Sequence, residues 1–584
     1  MRFSLFYEHQ LPRPWDADSE RRLFNDALEQ IEIADRVGFD AVWFVEHHFM
    51  EEYSHSSAPE VFLGAVSQRT SRIRLGHGIV QIPPDVNHPA RVAERVATLD
   101  LVSGGRVEFG TGESSSAAEL GGFGVRRTEK RAMWEDSIEA ITRMFVEEPF
   151  AGWESPYWRM PPRNVVPKPV QKPHPPLWVA CSRRETIHFA ARKGIGALSF
   201  SFVEPEDAGQ WVREYYDLID SDECVPAGFA VNPNVAVVLP MMCHEDEQTA
   251  IERGIDGTHF FGFALAHYYG VTPHSPGLTS VWQEFLERRD QDGFNRDVIT
   301  ADDAPLAVRI MQHGLGSMRG AVGTPDQVAE LCRRYEAVGV DHVGFALQAG
   351  KNRHEDICES LELFGKRVMP EFTERREQKD REKAERLAPA IERALARRSP
   401  ARSAPSGYLI DEEAEVERAR HTRRRRSLNP RALVREGVAD ARASARRRGS
   451  KVLGHWAGRR SDAQIEKRFA SGLVQRGLYT AMAASFNPTM SFGFEGEIQH
   501  ELKFPATGGD TAVWTIEVRD GKATARSGPA RSPAVTLQIA AGALVRLAAG
   551  ENPAVVLLDG QIDVKGDIGV AMRLVEMFGG ASPY

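Results

Sequence analysis

Three residues that can exchange protons stand together near the start of the chain: Glu46, His47 and His48. They follow Asp40–Val45, whose apolar residues predict a short buried β-strand. The carboxylate and both imidazoles therefore lie at the C-terminal end of that strand, where barrels of alternating strands and helices carry their active sites. Because histidine titrates near neutral pH, this group can supply a general acid or base.

A metal site is a weaker interpretation of the same residues. Together with His9, the Glu46-His47-His48 stretch contains donor types that bind metal ions. Adjacent histidines on a strand point to opposite faces, however, and are poorly placed to bind one ion. We therefore expect no metal at this position.

The first 372 residues alternate between strand and helix signals. Glu20–Val37, for example, has apolar residues at helical spacing and stops at Gly38. Eight such units predict an α/β fold, a (β/α)8 TIM-like barrel. The predicted strands are Phe3–Tyr7, Asp40–Val45, Ile73–Val80, Arg106–Gly110, Leu177–Ala180, Ala197–Phe200, Val235–Met242 and His342–Leu347.

The composition points to a multidomain protein of the cytoplasm. A chain of 584 residues is too long for one core, and its net charge of −9 says little about partners. The five cysteines are scattered without a C-x-x-C pair, which fits a reducing compartment. The sequence shows no signal-peptide layout and no apolar run long enough to span a bilayer, so we expect no stable membrane insertion.

Beyond the barrel, the pattern predicts a charged linker and a second domain. Residues 373–462 form a partly helical or disordered linker that contains the arginine run Arg423–Arg426. Such a run can bind nucleic acid or anionic lipid, but without aromatic interleaving a solvated linker is the better interpretation. Residues 463–584 predict a small α+β domain, with a helix at Ile465–Ser485 followed by strands from Thr489–Phe494 onward.

Several motifs of the first part resemble the bacterial luciferase-like flavin monooxygenases. The resemblance implies a TIM-like barrel that binds reduced FMN supplied by a separate flavin reductase and reacts with O2. We also expect a homodimer. The motifs are Val42–Phe49, His88–Glu94, Ala97–Arg106, Pro173–Ala180 and Val322–Pro325.

The same resemblance assigns candidate roles around the flavin ring. His47 matches the family's acid/base histidine, which stabilises a flavin hydroperoxide, while His48 and Glu46 are catalytic or orienting neighbours. Gly78 and Ile79 match the segment under the flavin, where the family often has a non-proline cis peptide bond.

Phosphate binding is the point at which the sequence departs from the family. Ser182, Arg183 and Thr186 follow the fifth predicted strand and match the phosphate site at a helix N-terminus. A plain helix N-cap is the alternative for Ser182. The luciferases place an arginine after the fourth strand, where this chain has Glu113. The phosphate contact then comes from Ser114 or Arg183, or Glu113 faces the substrate instead.

The C-terminal part resembles the sterol carrier protein domains. The motifs are Ala512–Gly521, Ala534–Ile539 and Ile562–Leu574. The resemblance implies a curved sheet under helices with an apolar tunnel for acyl chains or sterols. No catalytic cluster is evident there, so we interpret this domain as a lipid-binding or assembly module.

Taken together, the sequence predicts a two-component FMNH2-dependent monooxygenase that oxygenates an apolar substrate, either an aldehyde or a lipid-like molecule. One alternative is an F420-dependent oxidoreductase that transfers hydride on the same barrel. Another is a lipid carrier with a degenerate barrel, which Glu113 in place of arginine favours.

Overall fold

The computed structural model describes residues 1–182, 184–199, 205–269, 273–289, 320–410, 460–491, 494–548, 562–567, 570, 574 and 577–578. The described chain divides into two units, Met1–Ser403 and Ala404–Tyr584. Arg183 and the arginine run at 423–426 lie outside the described residues. Across the described ranges, none of the helices combines the length and apolar character needed to cross a bilayer.

The first unit is a closed parallel barrel, which confirms the predicted fold class. Strands β1, β2, β3, β5, β8, β9, β10 and β12 pair in this order, and β12 pairs with β1 to close the ring. The other four are short additions to the barrel or the β6–β7 hairpin. The strands are β1 (Arg2–Tyr7), β2 (Ala41–Phe44), β3 (Arg74–His77), β4 (Val80–Gln81), β5 (Val107–Gly112), β6 (Trp153–Glu154), β7 (Arg159–Met160), β8 (Leu177–Cys181), β9 (Gly196–Ser199), β10 (Val235–Cys243), β11 (Ala321–Gly323) and β12 (His342–Ala346).

Helices surround this barrel and bury their apolar faces against it. In the first helix, Leu23, Ala27 and Ile31 are buried at helical spacing, and the left-handed Gly38 ends it. The helices are α1 (Ser19–Val37), α2 (Pro59–Arg69), α3 (Pro89–Val102), α4 (Ala117–Phe123), α5 (Lys130–Val146), α6 (Arg184–Arg192), α7 (Pro205–Asp220), α8 (Glu247–Tyr269), α9 (Val281–Arg289), α10 (Pro325–Ala337), α11 (His354–Arg367), α12 (Met369–Thr373) and α13 (Arg376–Ala396).

Large aromatic side chains fill the barrel interior. Phe6, Trp43 and Trp178 form one buried cluster, with the two indole rings 5.3 Å apart in an edge-to-face arrangement. Gly76 makes room for this cluster, because a Cβ there would lie 2.5 Å from Cδ2 of Trp43. The interior is therefore packed, and the C-terminal ends of the strands are left to form a site.

Helix α13 belongs to the barrel unit, although its sequence lies within the predicted linker. Lys383 contacts Asp341 at 2.5 Å, and Asp380 pairs with Arg2 at 2.6 Å. After the helix, Arg402 binds the buried carboxylate of Glu147 at 3.1 Å. These ion pairs join the helix and the segment after it to the barrel.

The second unit is an α+β fold, as predicted. Its sheet has the order β15-β14-β13-β16-β17, with β13 and β16 parallel and the other pairs antiparallel. Helices and sheet share one hydrophobic core. The elements are α14 (Asp462–Phe469), α15 (Gly472–Ala484), α16 (Pro488–Ser491), β13 (Gly496–Phe504), β14 (Gly509–Arg519), β15 (Lys522–Ser527), β16 (Pro533–Ala540), α17 (Ala541–Ala548) and β17 (Ile562–Gly566).

Two local predictions in this unit are wrong. The predicted strand Thr489–Phe494 overlaps the short helix Pro488–Ser491, where proline occupies a first-turn position that it favours. The single helix predicted at Ile465–Ser485 is two helices, because a new helix begins after Ser471 at its N-cap position.

Candidate active site

His47 lies at the C-terminal end of β2, between two carboxylates. Its backbone N–H donates to the Ser56 carbonyl at 2.9 Å, which fixes the chain as it leaves the strand. Its Nδ1 lies 3.0 Å from Oε1 of Glu119, and its Nε2 lies 3.5 Å from Oε2 of Glu8. Both nitrogens of the imidazole therefore face an acidic group.

Glu119, on α4, is fixed as an anion by several donors. Its Oε1 accepts from the backbone N–H of His48 at 3.0 Å and from the Gln81 amide at 2.6 Å, besides contacting His47. Its Oε2 accepts from the Ser114 hydroxyl at 2.7 Å. Burial raises the pKa of Glu119, but His47 and these hydrogen bonds outweigh burial and lower it.

The two carboxylates raise the pKa of His47. Burial by itself lowers the pKa of His47, but the charges of Glu119 and Glu8 outweigh burial and raise it from 6.5 to about 9. For Glu8 burial dominates, and raises its pKa from 4.5 to about 7 against the opposing effect of His47. At neutral pH the imidazole is therefore a cation.

Two tyrosines enclose this group. The hydroxyl of Tyr269, at the end of α8, lies 3.3 Å from Nε2 of His47. Tyr53 is buried and donates to Oε1 of Glu8 at 3.0 Å. The rings of Tyr53 and Tyr269 lie 5.8 and 6.1 Å from the imidazole, so both phenols pack beside His47.

Glu46 and His48 form a second pair beside the first. Oε1 of Glu46 lies 3.1 Å from Nε2 of His48 and accepts from the Asn87 amide at 2.7 Å, while Oε2 accepts from the Gln81 backbone at 2.8 Å. The ring of His48 packs edge-to-face on Phe123 at 4.9 Å. These contacts fix the side chains of Glu46 and His48, and Gln81 links the pair to Glu119, which contacts His47.

The segment after β3 approaches β2 closely. Gly78 donates its N–H to the Phe44 carbonyl at 2.6 Å, and Ile79 is buried against Gly112. The cis peptide bond predicted between Gly78 and Ile79 is not found. Within the described ranges every cis bond precedes proline, where the cis form costs far less than at other residues.

Glu113 is neutralised by two cations from the start of α5. Its Oε1 lies 3.0 Å from Nη2 of Arg131 and 3.5 Å from Nζ of Lys130. Burial raises the pKa of Glu113, but Lys130 and Arg131 outweigh burial and lower it. Nζ of Lys130 also donates to the Ser115 hydroxyl at 3.2 Å. Cations and hydroxyls thus gather at the C-terminal end of β5.

Ser182 follows β8, the neighbour of β5 in the barrel. Its side chain is exposed, and helix α6 begins two residues later. The Thr186 carbonyl accepts from the Cys181 thiol at 3.3 Å. Arg184 pairs with Glu214 of α7, at 2.7 Å from its Nε, and so is directed along the outer helices.

Sequence comparison places this geometry in a family. Residues 1–342, more than half of the chain, match the profile described as Luciferase-like monooxygenase. The chain belongs to the luciferase-like monooxygenase family. Residues 495–579 match the profile of the SCP-2 sterol transfer family, so this luciferase-like monooxygenase carries a sterol carrier-type domain after its barrel. Both predicted resemblances are confirmed.

Three relatives illustrate the range of this family. Uncharacterized protein y4wF of Sinorhizobium fredii is 32% identical over 39% of this chain and 64% of its own length, just under two thirds. The oxygenase component of a flavin-dependent trigonelline monooxygenase from Acinetobacter baylyi is 25% identical over 64% of this chain and 96% of its own length. An F420-dependent glucose-6-phosphate dehydrogenase of Microbacterium testaceum is 23% identical over 62% of this chain and 97% of its own.

The sequence patterns did not predict several residues that contact His47 or Glu113. Glu8 directly follows β1, so the rule that selected Glu46 at the end of β2 would have selected it too. Glu119 and Tyr269 lie within helices, without a distinguishing pattern. Lys130 and Arg131 belong to an ordinary amphipathic helix, and only the fold brings them to Glu113.

Proposed function

We propose that the barrel is the oxygenase component of a two-component monooxygenase. In this proposal a separate flavin reductase supplies reduced FMN, and one atom of O2 enters an apolar organic substrate. Membership of the luciferase-like monooxygenase family supports the proposal, as does the trigonelline relative, whose name identifies it as an oxygenase component.

The observation that carries the proposal is the Glu119–His47–Glu8 arrangement. A pKa of about 9 keeps His47 protonated at neutral pH, so a proton is available at Nε2. Glu119 holds Nδ1, which orients the ring, while the Tyr269 hydroxyl lies 3.3 Å from Nε2. His47 is therefore suited to protonate an oxygen atom bound beside it.

The residues at the ends of β5 and β8 fit the phosphate of FMN. Arg131 has a buried Nε without a hydrogen-bond partner among the described residues, and Lys130 lies on the same turn of α5. Ser114 adopts the left-handed φ of 60°, and Ser182 presents an exposed hydroxyl. In this assignment Arg131, Lys130 and Ser182 would hold the phosphate, and Gly78 and Ile79 would contact the ring. Bound reduced flavin would supply the electrons that activate O2.

Hydride transfer with F420 is the second candidate. The match to the F420-dependent relative covers almost the whole length of that protein, so F420 is the second cofactor to test. Both carry a phosphate on a side chain, so the cation cluster serves either one. Anaerobic titration of the full chain with reduced FMN and reduced F420 distinguishes them by affinity.

For the C-terminal unit we propose binding of an apolar ligand. The match to the SCP-2 sterol transfer family supports this role, together with the apolar face that the sheet presents to the helices. Leu544 and Val570 are buried there, and Leu547 and Leu574 are partly buried beside them.

Oxygenation is tested with the purified full chain, a flavin reductase, NADH, 18O2 and decanal as an apolar probe. We expect 18O in decanoic acid, and His47→Gln should lower the yield at least tenfold while flavin still binds. Equal yields from both proteins would show that His47 has another role.

Phosphate binding has a readout that needs no turnover. Arg131→Gln should weaken binding of FMN about tenfold and leave riboflavin, which lacks the phosphate, unchanged. Lys193→Gln is the matched control. Arg131 and Lys193 both lie over the Phe189 ring, Lys193 at 5.5 Å, but Lys193 pairs with Glu135 rather than with Glu113. Equal losses for FMN and riboflavin would exclude the phosphate assignment.

A further inference from the structure

A histidine interrupts the apolar face of the central strand in the C-terminal unit. On β13 the buried residues Ile498, Leu502 and Phe504 alternate with outward-facing ones, and His500 occupies the middle of this series with 2% exposure. It stands opposite Trp514 on β14. A polar ring in this position requires hydrogen-bond partners, because its nitrogens are removed from water.

One of its two nitrogens has such a partner. Nδ1 of His500 lies 3.0 Å from the hydroxyl of Tyr479, whose ring stacks on Trp514 at 4.7 Å. The Trp514 indole in turn donates to Oε1 of Gln475 at 2.9 Å, and the Gln475 amide donates to the Phe469 carbonyl at 2.8 Å. This chain of contacts fixes the orientation of the imidazole.

The second nitrogen has none. Nε2 of His500 is buried without a hydrogen-bond partner among the described residues. Burial also lowers the pKa of His500 to about 4, so the ring is neutral at physiological pH. A neutral imidazole has one donor and one acceptor nitrogen, and the unused one is destabilising unless something binds it.

We propose that Nε2 of His500 binds the hydroxyl group of an apolar alcohol held in the C-terminal unit. This inference rests on the proposed binding of an apolar ligand there, and it adds the polar end that the ligand must carry. Tyr479 sets the ring orientation, and His500 is the residue that distinguishes an alcohol from a hydrocarbon of the same length.

A hydroxyl is the group that suits both tautomers of the ring. If Tyr479 donates to Nδ1, then Nε2 carries the proton and donates to the ligand oxygen. If Nδ1 donates to Tyr479, then Nε2 accepts from the ligand O–H. A carboxylate satisfies only the first arrangement, and the neutral His500 offers it no positive charge.

The test compares dodecanol, 1-methoxydodecane and dodecane as probes. Each displaces a fluorescent fatty probe from the full-length protein and from His500→Phe. We expect the substitution to weaken dodecanol about fivefold more than dodecane, the ratio that one net hydrogen bond gives. The ether follows dodecanol if Nε2 donates and follows dodecane if Nε2 accepts.

Two further variants locate the effect on one nitrogen. The amide of His500→Gln reaches the position of Nε2 and should keep the preference for dodecanol, whereas His500→Asn reaches only Nδ1 and should lose it. Comparing His500→Gln with His500→Asn also tests hydroxyl binding by Nε2 if His500→Phe fails to fold. Leu502→Met, on the same face of β13, is the volume-conserving control and should leave the preference unchanged.

The possible failures are distinguishable. Equal weakening of dodecanol and dodecane in His500→Phe would overturn hydroxyl recognition but leave apolar binding in place. Unchanged affinity for both probes in that variant would also overturn hydroxyl recognition, because Nε2 of His500 would then make no contact with the ligand. No displacement by any probe would overturn the inference together with the proposed binding function.

Discussion

Replacing Glu8 with glutamine tests the electrostatic origin of the His47 acid. The change keeps the shape of the side chain and removes a charge 3.5 Å from Nε2 of His47. A carboxylate at such a distance typically raises a histidine pKa by about 1 to 3 pH units. Because Glu119 remains in place, we expect the pKa of His47 to fall from about 9 to roughly 7 in Glu8→Gln.

The pKa is measured directly by NMR of 13C-labelled histidine, with His47 assigned from the spectrum of His47→Gln. Monooxygenase activity should follow, because the protonated ring is present below its pKa and is lost as the pH rises through it. The alkaline limb of the profile therefore moves to lower pH. Glu20→Gln is the control, since Glu20 faces another histidine, His55, at 3.0 Å. An unshifted His47 titration would refute the two-carboxylate explanation.

Two further substitutions test the fold. Gly76→Ala should destabilise the protein by about 1–3 kcal/mol in urea unfolding, because the added Cβ overlaps the indole of Trp43 inside the barrel. Arg402→Ala should lower the free energy of unfolding by about 1 kcal/mol in the same assay. The loss is small because the Arg402 guanidinium is partly exposed and Glu147 remains paired with Arg143 at 3.1 Å. A loss of several kcal/mol would mean that the segment after α13 contributes more to folding than this ion pair.

Alternation of strands and helices was enough to predict the barrel. Each predicted barrel strand is a parallel strand of the structure, because a strand buried on both faces is a short apolar run that is easy to identify. Residues 488–491 show where such reasoning fails. Thr489 favours a strand locally, but the proline before it starts a helical turn instead.

The candidate site was predicted only as far as strand ends could indicate it. His47 was identified because it follows a strand, whereas Ser182 and Glu113 were identified from their resemblance to the family's phosphate site. Glu119 contacts His47 across 72 positions of sequence, and Tyr269 across 222. Contacts of this kind depend on how helices pack over the barrel mouth, and no local periodicity encodes them.

Glu113 shows how a departure from a family pattern can be compensated by packing. A carboxylate in place of an arginine suggested a degenerate barrel, since it would repel a phosphate. Lys130 and Arg131 both contact this carboxylate, so the cluster contains more positive than negative groups. Arg131 is also held against the Phe189 ring, 4.2 Å from its centroid. We propose that Glu113 positions Arg131, and Glu113→Gln should then weaken FMN binding less than Arg131→Gln does.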